Sequence, residues 1–292
     1  MKNFKQWFLP TILFLGIVVS SCSSGGDGPG PNPEPDKPDP TPKESRKNSN
    51  VSVSSTDAPA SYTTKILLED YTGTWCGYCP RVAHAMEEAI AQNGNIIGIG
   101  VHDDSDMGFT HVKSMLQKYN ISGFPTAVLN RSAKWLETFA TLNPFLEKES
   151  DLGIALESSL NNTTVTGKIK IGFKADLTKS IDYVIYLVED KVVANQVNYY
   201  NDVSSSPYYN KGNPIVGFEH ANVLRKTITD VYGDIIPEDY TKTGNVIEAD
   251  FSVELDTYVP ENCYIVAFVL EEGGEEIINT QIVKVGSNQD FD

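Results

Sequence analysis

Cysteine is scarce. The 292-residue chain holds four, at Cys22, Cys76, Cys79 and Cys263. A fold stapled by disulfides carries more of them, at wider spacings. Histidine is equally scarce, again four, and a zinc site needs further Cys or His at ligand spacing. The nearest histidine to the close Cys pair is His84, one helical turn on, so no metal site and no cofactor are expected. Basic charge is also in short supply: 23 Lys and Arg stand against 39 Asp and Glu, a formal net charge of −16. Phosphate backbones attract Lys and Arg, so nucleic acid is excluded as a partner. Long apolar runs are missing as well. The longest, Trp7 to Val19, has 13 residues, against the roughly 20 needed to span a bilayer.

That short run has a different use. Lys2 and Lys5 precede it, and Ser20-Ser21-Cys22 follow it, which is the layout of a secretory signal. Val19-Ser20-Ser21-Cys22 resembles the bacterial lipobox. The resemblance implies a signal peptide over 1–21, acylation of Cys22, and attachment to a membrane through that lipid. Removing Lys2 and Lys5 deepens the charge to about −18. Gly25 to Pro42 then carries seven prolines between Pro29 and Pro42. Proline blocks helix and sheet pairing, so residues 22–60 are expected to be a disordered tether.

Residues 61–160 read as an α/β unit. Lys65 to Asp70 is a short apolar strand, leading through Trp75 to Cys76-Gly77-Tyr78-Cys79-Pro80. From there Val82, Ala85, Met86, Ala89 and Ile90 fall at helical spacing, with Pro80 suited to the first turn. The Cys pair therefore sits at a helix N-terminus, where free N–H groups and the helix dipole favour an anion and a thiol pKa falls below its usual value near 8.5. Cys76 is expected to be the exposed attacking thiolate and Cys79 the deeper resolving thiol. A strand over Asn95–Val101, a helix over Phe109–Tyr119, a strand over Ala127–Leu129, a pairing strand over Lys134–Phe139 and a helix from Pro144 to about Leu160 complete a β-α-β-α-β-β-α order.

Trp75-Cys76-Gly77-Tyr78-Cys79 resembles the Trp-Cys-x-x-Cys of thioredoxins, and Gly123-Phe124-Pro125-Thr126 resembles their Gly-x-Pro-Thr turn. The resemblance implies a thioredoxin fold, a cis Pro125 against the Cys pair, and a substrate surface made by Trp75, Phe124 and Pro125. It also puts Asp70 where thioredoxins carry a buried acid that relays a proton to the resolving Cys. A strand-end carboxylate facing water is the alternative for Asp70. The Gly-Tyr dipeptide is similar to that of periplasmic disulfide isomerases and does not fix a potential.

Beyond residue 160 the period changes to two. Ile247, Ala249, Phe251, Val253 and Leu255 alternate with Glu248, Asp250, Ser252, Glu254 and Asp256, a strand with one wet face. Val165–Phe173 alternates similarly. Tyr183–Val188 and Tyr264–Leu270 are nearly continuous apolar runs suited to central strands, and Glu271–Glu276 suits a hairpin turn. Residues 161–292 are read as an all-β antiparallel sandwich. His220-Ala221-Asn222-Val223-Leu224-Arg225 resembles a His-x-x-Val-Leu-Arg stretch of the outer membrane protein 28-related lipoproteins, which implies an outer-membrane location, on the periplasmic face or the cell surface.

These readings make the chain an envelope thiol–disulfide oxidoreductase, of reductase or isomerase type, acting on disulfides of exported proteins. The alternative is an outer-membrane lipoprotein with a binding or adhesion role that retains a thioredoxin scaffold. Four features stay secondary: His102-Asp103-Asp104-Ser105-Asp106 as a solvated loop rather than a cation site, Cys263 as a buried thiol, His220 and Arg225 in strand or turn roles rather than facing the redox site, and Tyr199–Tyr209 as a packed loop.

Overall fold

The computed structural model describes residues 50–292. The signal segment, the lipobox Cys22 and the proline run lie outside the described residues. The described chain begins with strand β1 (Ser52–Ser55), then β2 (Ile66–Thr72), helix α1 (Cys79–Gln92), β3 (Ile96–His102), α2 (Val112–Lys118), β4 (Thr126–Leu129), β5 (Ala133–Trp135) and the one-turn α3 (Asn143–Leu146). It continues with β6 (Leu152–Asn161), β7 (Thr164–Phe173), β8 (Ile181–Glu189), β9 (Val192–Gln196), β10 (Ile215–His220), β11 (Val223–Thr227) and β12 (Asp234–Ile236). The last strands are β13 (Val246–Glu254), β14 (Cys263–Glu271), β15 (Ile277–Lys284) and β16 (Asn288–Gln289). A thioredoxin-like α/β module is thus followed by an antiparallel β-sandwich.

Strand β2 pairs in parallel with β3, Ile66 opposite Ile96 through Thr72 opposite His102, and antiparallel with β4. All seven of its residues are buried. Because side chains alternate along a strand, Ile66 and Leu68 pack with Val82, Met86 and Ala89 of α1. Leu67 and Tyr71 turn to the opposite face. Asp70 shares the α1 face, and Glu69 the other.

The two modules share a sheet. Among the described residues one nine-stranded sheet runs β15-β14-β8-β11-β3-β2-β4-β5, with β12 beside β8. The seam is β11 against β3, in parallel at Val223 and Gly100. A second sheet, β1-β13-β7-β6-β16, closes the sandwich. Between them lie Ile185 and Leu187 of β8, Ile265, Ala267 and Val269 of β14, and Ile154, Leu156, Ile169 and Ile171 of the facing strands. The other face of β8 and β14 offers Val184, Tyr186, Val188, Val266 and Phe268 to the thioredoxin-side residues Leu67, Ile99, Val101 and Met115. Both faces of these strands are buried, which is why their sequences are nearly unbroken apolar runs.

Two expectations need correction. The helix expected over 144–160 is a single turn, and Leu152–Asn161 is a strand pairing with β7 from Leu152–Phe173 to Asn161–Thr164. Its true period is two: Leu152, Ile154 and Leu156 enter the sandwich core, while Gly153 stands against Tyr62, whose ring carbon lies 2.0 Å from where a Cβ would be. The stretch 22–60, expected as a tether, also contains a strand. Ser52–Ser55 adds to β13, with Ser52 opposite Glu248, because an alternating Val51-Ser52-Val53-Ser54 stretch supplies an edge strand.

A buried ion pair ties the modules together on the Glu69 face. Arg131, in the β4–β5 turn, holds Glu69 at 3.1 Å with both side chains fully buried. Its guanidinium also donates to the Val231 carbonyl at 3.0 Å and the Tyr186 hydroxyl at 2.5 Å, and lies 4.8 Å from the Phe268 ring centre. Removing one partner of such a pair leaves an uncompensated buried charge. Arg131→Met is expected to lower the unfolding free energy by about 3–5 kcal/mol in urea titration. Combining it with Glu69→Leu should recover most of that loss.

Candidate redox site

The Cys pair lies where β2 hands over to α1. Cys76 N–H donates to the Gly73 carbonyl at 3.0 Å and Cys79 N–H to the Cys76 carbonyl at 3.2 Å, so the loop winds directly into the helix. Cys79 opens α1, with Pro80 in its first turn. The two sulfurs form a disulfide with Cα atoms 5.4 Å apart. Trp75 and Tyr78 flank it and are half-exposed. The Trp75 indole donates to the Asp103 carbonyl at 2.8 Å and meets Phe124 edge-on at 5.4 Å. The Phe124–Pro125 bond is cis. Cys76 is not the exposed residue that its leading position suggests: it is 5% accessible, against 2% for Cys79.

Cys79 borders a cavity of about 30 Å³, room for about two water molecules. Asp70, Cys79, His102, Gln196, Glu219 and His220 line it. Asp70 is 1% exposed, and its Oδ1 is buried without a hydrogen-bond partner. Burial pushes its pKa up to about 7; Glu137 adds to the rise and Arg81 opposes it. Asp70 is therefore a buried acid, not a solvated strand-end carboxylate. His102 Nδ1 lies 2.9 Å from Asp104, and the His102 ring meets His220 at 5.1 Å. Burial, then the neighbouring His102, pushes His220 down to about 4, so its imidazole is neutral near pH 7.

Asp104 explains the loop after β3. Burial raises its pKa, but His102 and the N–H groups of Met107 and Thr74 outweigh that and hold it well below the usual carboxylate range. The carboxylate closes the loop with Met107 N–H at 2.8 Å and Thr74 N–H at 3.2 Å. His220 does reach the redox cavity. Arg225 does not: it pairs with Glu189 at 2.8 Å and covers Tyr258 at 4.9 Å. Cys263 is a buried thiol that donates to the Val259 carbonyl at 3.3 Å, and burial pushes its pKa up to about 12.

The contribution of the second module to the loop has no counterpart in the sequence reading. The chain leaving β9 lies along the Cys76 loop. Val197 N–H donates to the Thr74 carbonyl at 2.8 Å and Tyr199 N–H to the Gly77 carbonyl at 3.0 Å. The Gln196 amide donates to the Cys76 carbonyl at 2.9 Å. Tyr199 also meets Tyr78 edge-on at 5.1 Å, and the Tyr200 hydroxyl accepts from Arg81 Nε at 3.0 Å, so the tyrosine-rich stretch is a packed loop. Nothing in Asn195-Gln196-Val197 signals this role.

Gly77 is small for a reason the dipeptide alone does not show. A Cβ there would sit 2.4–2.6 Å from Tyr199 ring atoms, inside any tolerable contact. Gly77→Ala is expected to destabilise the protein by about 1–3 kcal/mol in urea titration. Adding Tyr199→Ala should cancel most of that increment, giving a strongly non-additive double-mutant cycle.

Two sequence profiles match the chain: Thioredoxin over residues 51–147 and Outer membrane protein Omp28 over residues 112–289. Among solved structures, HBP35 of Porphyromonas gingivalis is similar with a TM-score of 0.61 at 19% identity, covering 77% of this chain and 76% of that one. That likeness shows the fold alone. A domain of the outer membrane lipoprotein Omp28 from Porphyromonas gingivalis matches with a TM-score of 0.32 and 16% identity, over 47% of this chain and 89% of that one. No curated protein matches the chain. Because the second profile spans more than half of the sequence, the chain belongs to the Omp28 family of outer membrane proteins.

Proposed function

We propose that this protein is a thiol–disulfide oxidoreductase of the cell envelope, held at the outer membrane by a lipid on Cys22 and acting on disulfides of exported proteins. The observation that carries the reading is the buried Asp70 carboxyl, which lines one cavity with Cys79, the second member of a Cys pair at a helix start. A purely structural disulfide has no use for an acid there.

The residues divide the work as follows. In the reduced protein, the Cys76 thiolate attacks one sulfur of a substrate disulfide. A Cys76–substrate bond forms, and the other substrate sulfur leaves as a thiolate that takes a proton from water. Cys79 then gives its proton to the Asp70 carboxylate and attacks the Cys76 sulfur. The mixed disulfide breaks, the Cys76–Cys79 bond forms, and the substrate departs with two electrons gained. An external dithiol restores the reduced pair. Trp75, Phe124 and the cis Pro125 form the wall against which the substrate chain is held. Asp70 suits its part because a general base works best with a pKa near the operating pH.

Cys76→Ser should abolish reduction of a test disulfide, and Cys79→Ser should accumulate a mixed disulfide visible on a non-reducing gel. Turnover like that of the unaltered protein in both variants would sink the reading and leave a scaffold with a binding role. The Cys76–Cys79 pair of the unaltered protein should equilibrate with glutathione buffers at a potential between roughly −120 and −270 mV.

Asp70 adds a pH dependence of both rate and stability. Only its carboxylate accepts the Cys79 proton, so release from the mixed disulfide should rise with pH through about 7. Asp70→Asn should flatten that profile and slow release about 100-fold. The folded pKa is raised above 3.8, so the folded state binds the proton more tightly than the unfolded one. The resulting stabilisation is complete below about pH 4 and is lost as pH rises through about 7. Urea titrations at pH 5 and pH 8 should show the unaltered protein losing stability over this interval, while Asp70→Asn loses less.

A further inference from the structure

Four carbonyl groups of the Cys76 loop are addressed from the second module. Gly73, Thr74, Cys76 and Gly77 each present an oxygen to the chain leaving β9, and each accepts from it. Gln196 stands at the centre. It is 2% exposed, and its Nε2 lies 2.9 Å from the Cys76 carbonyl, 3.0 Å from the Val197 carbonyl and 3.4 Å from the Gly73 carbonyl. Three acceptors around one atom fix the amide orientation, since the side-chain oxygen in that place would face only oxygens. Backbone pairing of Gln196 with Ile215 across β9 and β10 holds the residue from behind.

We propose that Gln196 is a positioning residue of the redox site, through which the second module sets the acidity of Cys76 and the potential of the Cys76–Cys79 pair. The proposal rests on the oxidoreductase reading and adds to it the control of the site by the second module. The physical argument concerns the reduced state. A carbonyl oxygen in the residue that bears a thiolate is the negative end of a peptide dipole, and it opposes the second negative charge. An N–H donor on that oxygen offsets the repulsion. In the disulfide state no such charge exists, so the donor gains less. Gln196 therefore favours the thiolate over the disulfide, raising the potential, as stabilising the reduced form does in oxidising members of this chemistry.

The loop does not need Gln196 to keep its shape. The Gly73 carbonyl also accepts from Cys76 N–H, and the Cys76 carbonyl from Cys79 N–H. Tyr199 and Val197 hold the remaining carbonyls by their backbone. A merely structural amide would lower the stability of the oxidised and reduced forms alike and leave their ratio unchanged.

The test is a redox titration of the detergent-solubilised full chain in glutathione buffers, with the Cys76 thiol pKa read from the pH dependence of iodoacetamide alkylation. Gln196→Met keeps the side-chain volume and removes the donor; Gln196→Ala removes both. Both variants should shift the equilibrium towards the disulfide by about three- to tenfold, at most ~30 mV more reducing, and both should raise the Cys76 pKa. Potentials and pKa values equal to those of the unaltered protein, in variants that remain folded by circular dichroism, would overturn the proposal. Should Gln196→Ala fail to fold, Gln196→Met alone decides. If the unaltered pair itself never equilibrates with glutathione, the oxidoreductase reading falls and takes this one with it; equilibration with unmoved variants removes only the role of Gln196.

Discussion

Everything about the redox site depends on how the second module reaches it, and that depends on a very short stretch of parallel pairing. Gly100 N–H donates to the Asn222 carbonyl at 3.0 Å, Val223 stands opposite Gly100, and the Asn222 side chain donates to the Gly98 carbonyl at 3.0 Å. Without this seam, β3 would be an edge strand with unpaired backbone groups, a liability for any sheet. With it, the corner between β10 and β11 is fixed beside Asp70. A Cβ at Gly100 would meet the His102 ring at 3.4 Å and the Ala221 carbonyl at 3.6 Å, ordinary contact distances, so the close approach is set by the pairing itself and not by the lack of a side chain. His220 enters the cavity as a consequence, and β9, paired to β10, arrives at the Cys76 loop.

The seam is supported on its far side by packing that belongs to neither module alone. Leu67, Tyr71, Ile99 and Val101 have the same neighbourhood as Val184, Tyr186, Val188 and Phe268. A thioredoxin-like unit cut out after Leu146 would expose that face and leave Glu69 and Arg131 without Tyr186 and Val231. The alternation along β2 makes one strand serve two purposes. Residues 66, 68 and 70 face α1 and include the buried acid Asp70, while 67, 69 and 71 face the second module and carry the tie. A one-residue slip of register would exchange these faces and bury Glu69 under the helix.

Much of this was legible in local pattern. The apolar run at Lys65–Asp70, the helical spacing from Val82 to Ile90 and the alternation from Ile247 to Leu255 report burial on one or two faces, and burial is what a sequence encodes at short range. The Trp75–Cys79 and Gly123–Thr126 stretches pointed to a candidate site in another way, by resemblance to thioredoxins rather than by burial. Residues 152–161 misled because Leu, Ala, Glu and Ser are tolerated in a helix, and only pairing with β7 and the closeness of Tyr62 to Gly153 impose a period of two. The contacts of Gln196 with Cys76 were invisible for a different reason. The two residues are 120 positions apart, and an amide donating to a main-chain carbonyl leaves no mark on the identity of its acceptor.

The overlap of the two sequence profiles, Thioredoxin to residue 147 and Omp28 from residue 112, falls on α2, β4, β5 and Arg131. That shared segment includes Arg131 and Met115, which pack against second-module residues, so the boundary is a zone of joint packing rather than a linker. Coupling across such a zone runs both ways by thermodynamic necessity. If donors from β9 hold the thiolate form of Cys76 more tightly than the disulfide form, then reduction of the pair must hold the β9 extension more tightly to the loop, by the same factor. The oxidised state described here has the extension already seated, with Val197 and Tyr199 bonded to the loop. On that proposal reduction would tighten a contact that is already made, not create one. The Trp75 and Phe124 side chains, which meet each other at 5.4 Å, take no part in that set of hydrogen bonds, so on the oxidoreductase proposal a substrate would meet them without displacing the clamp.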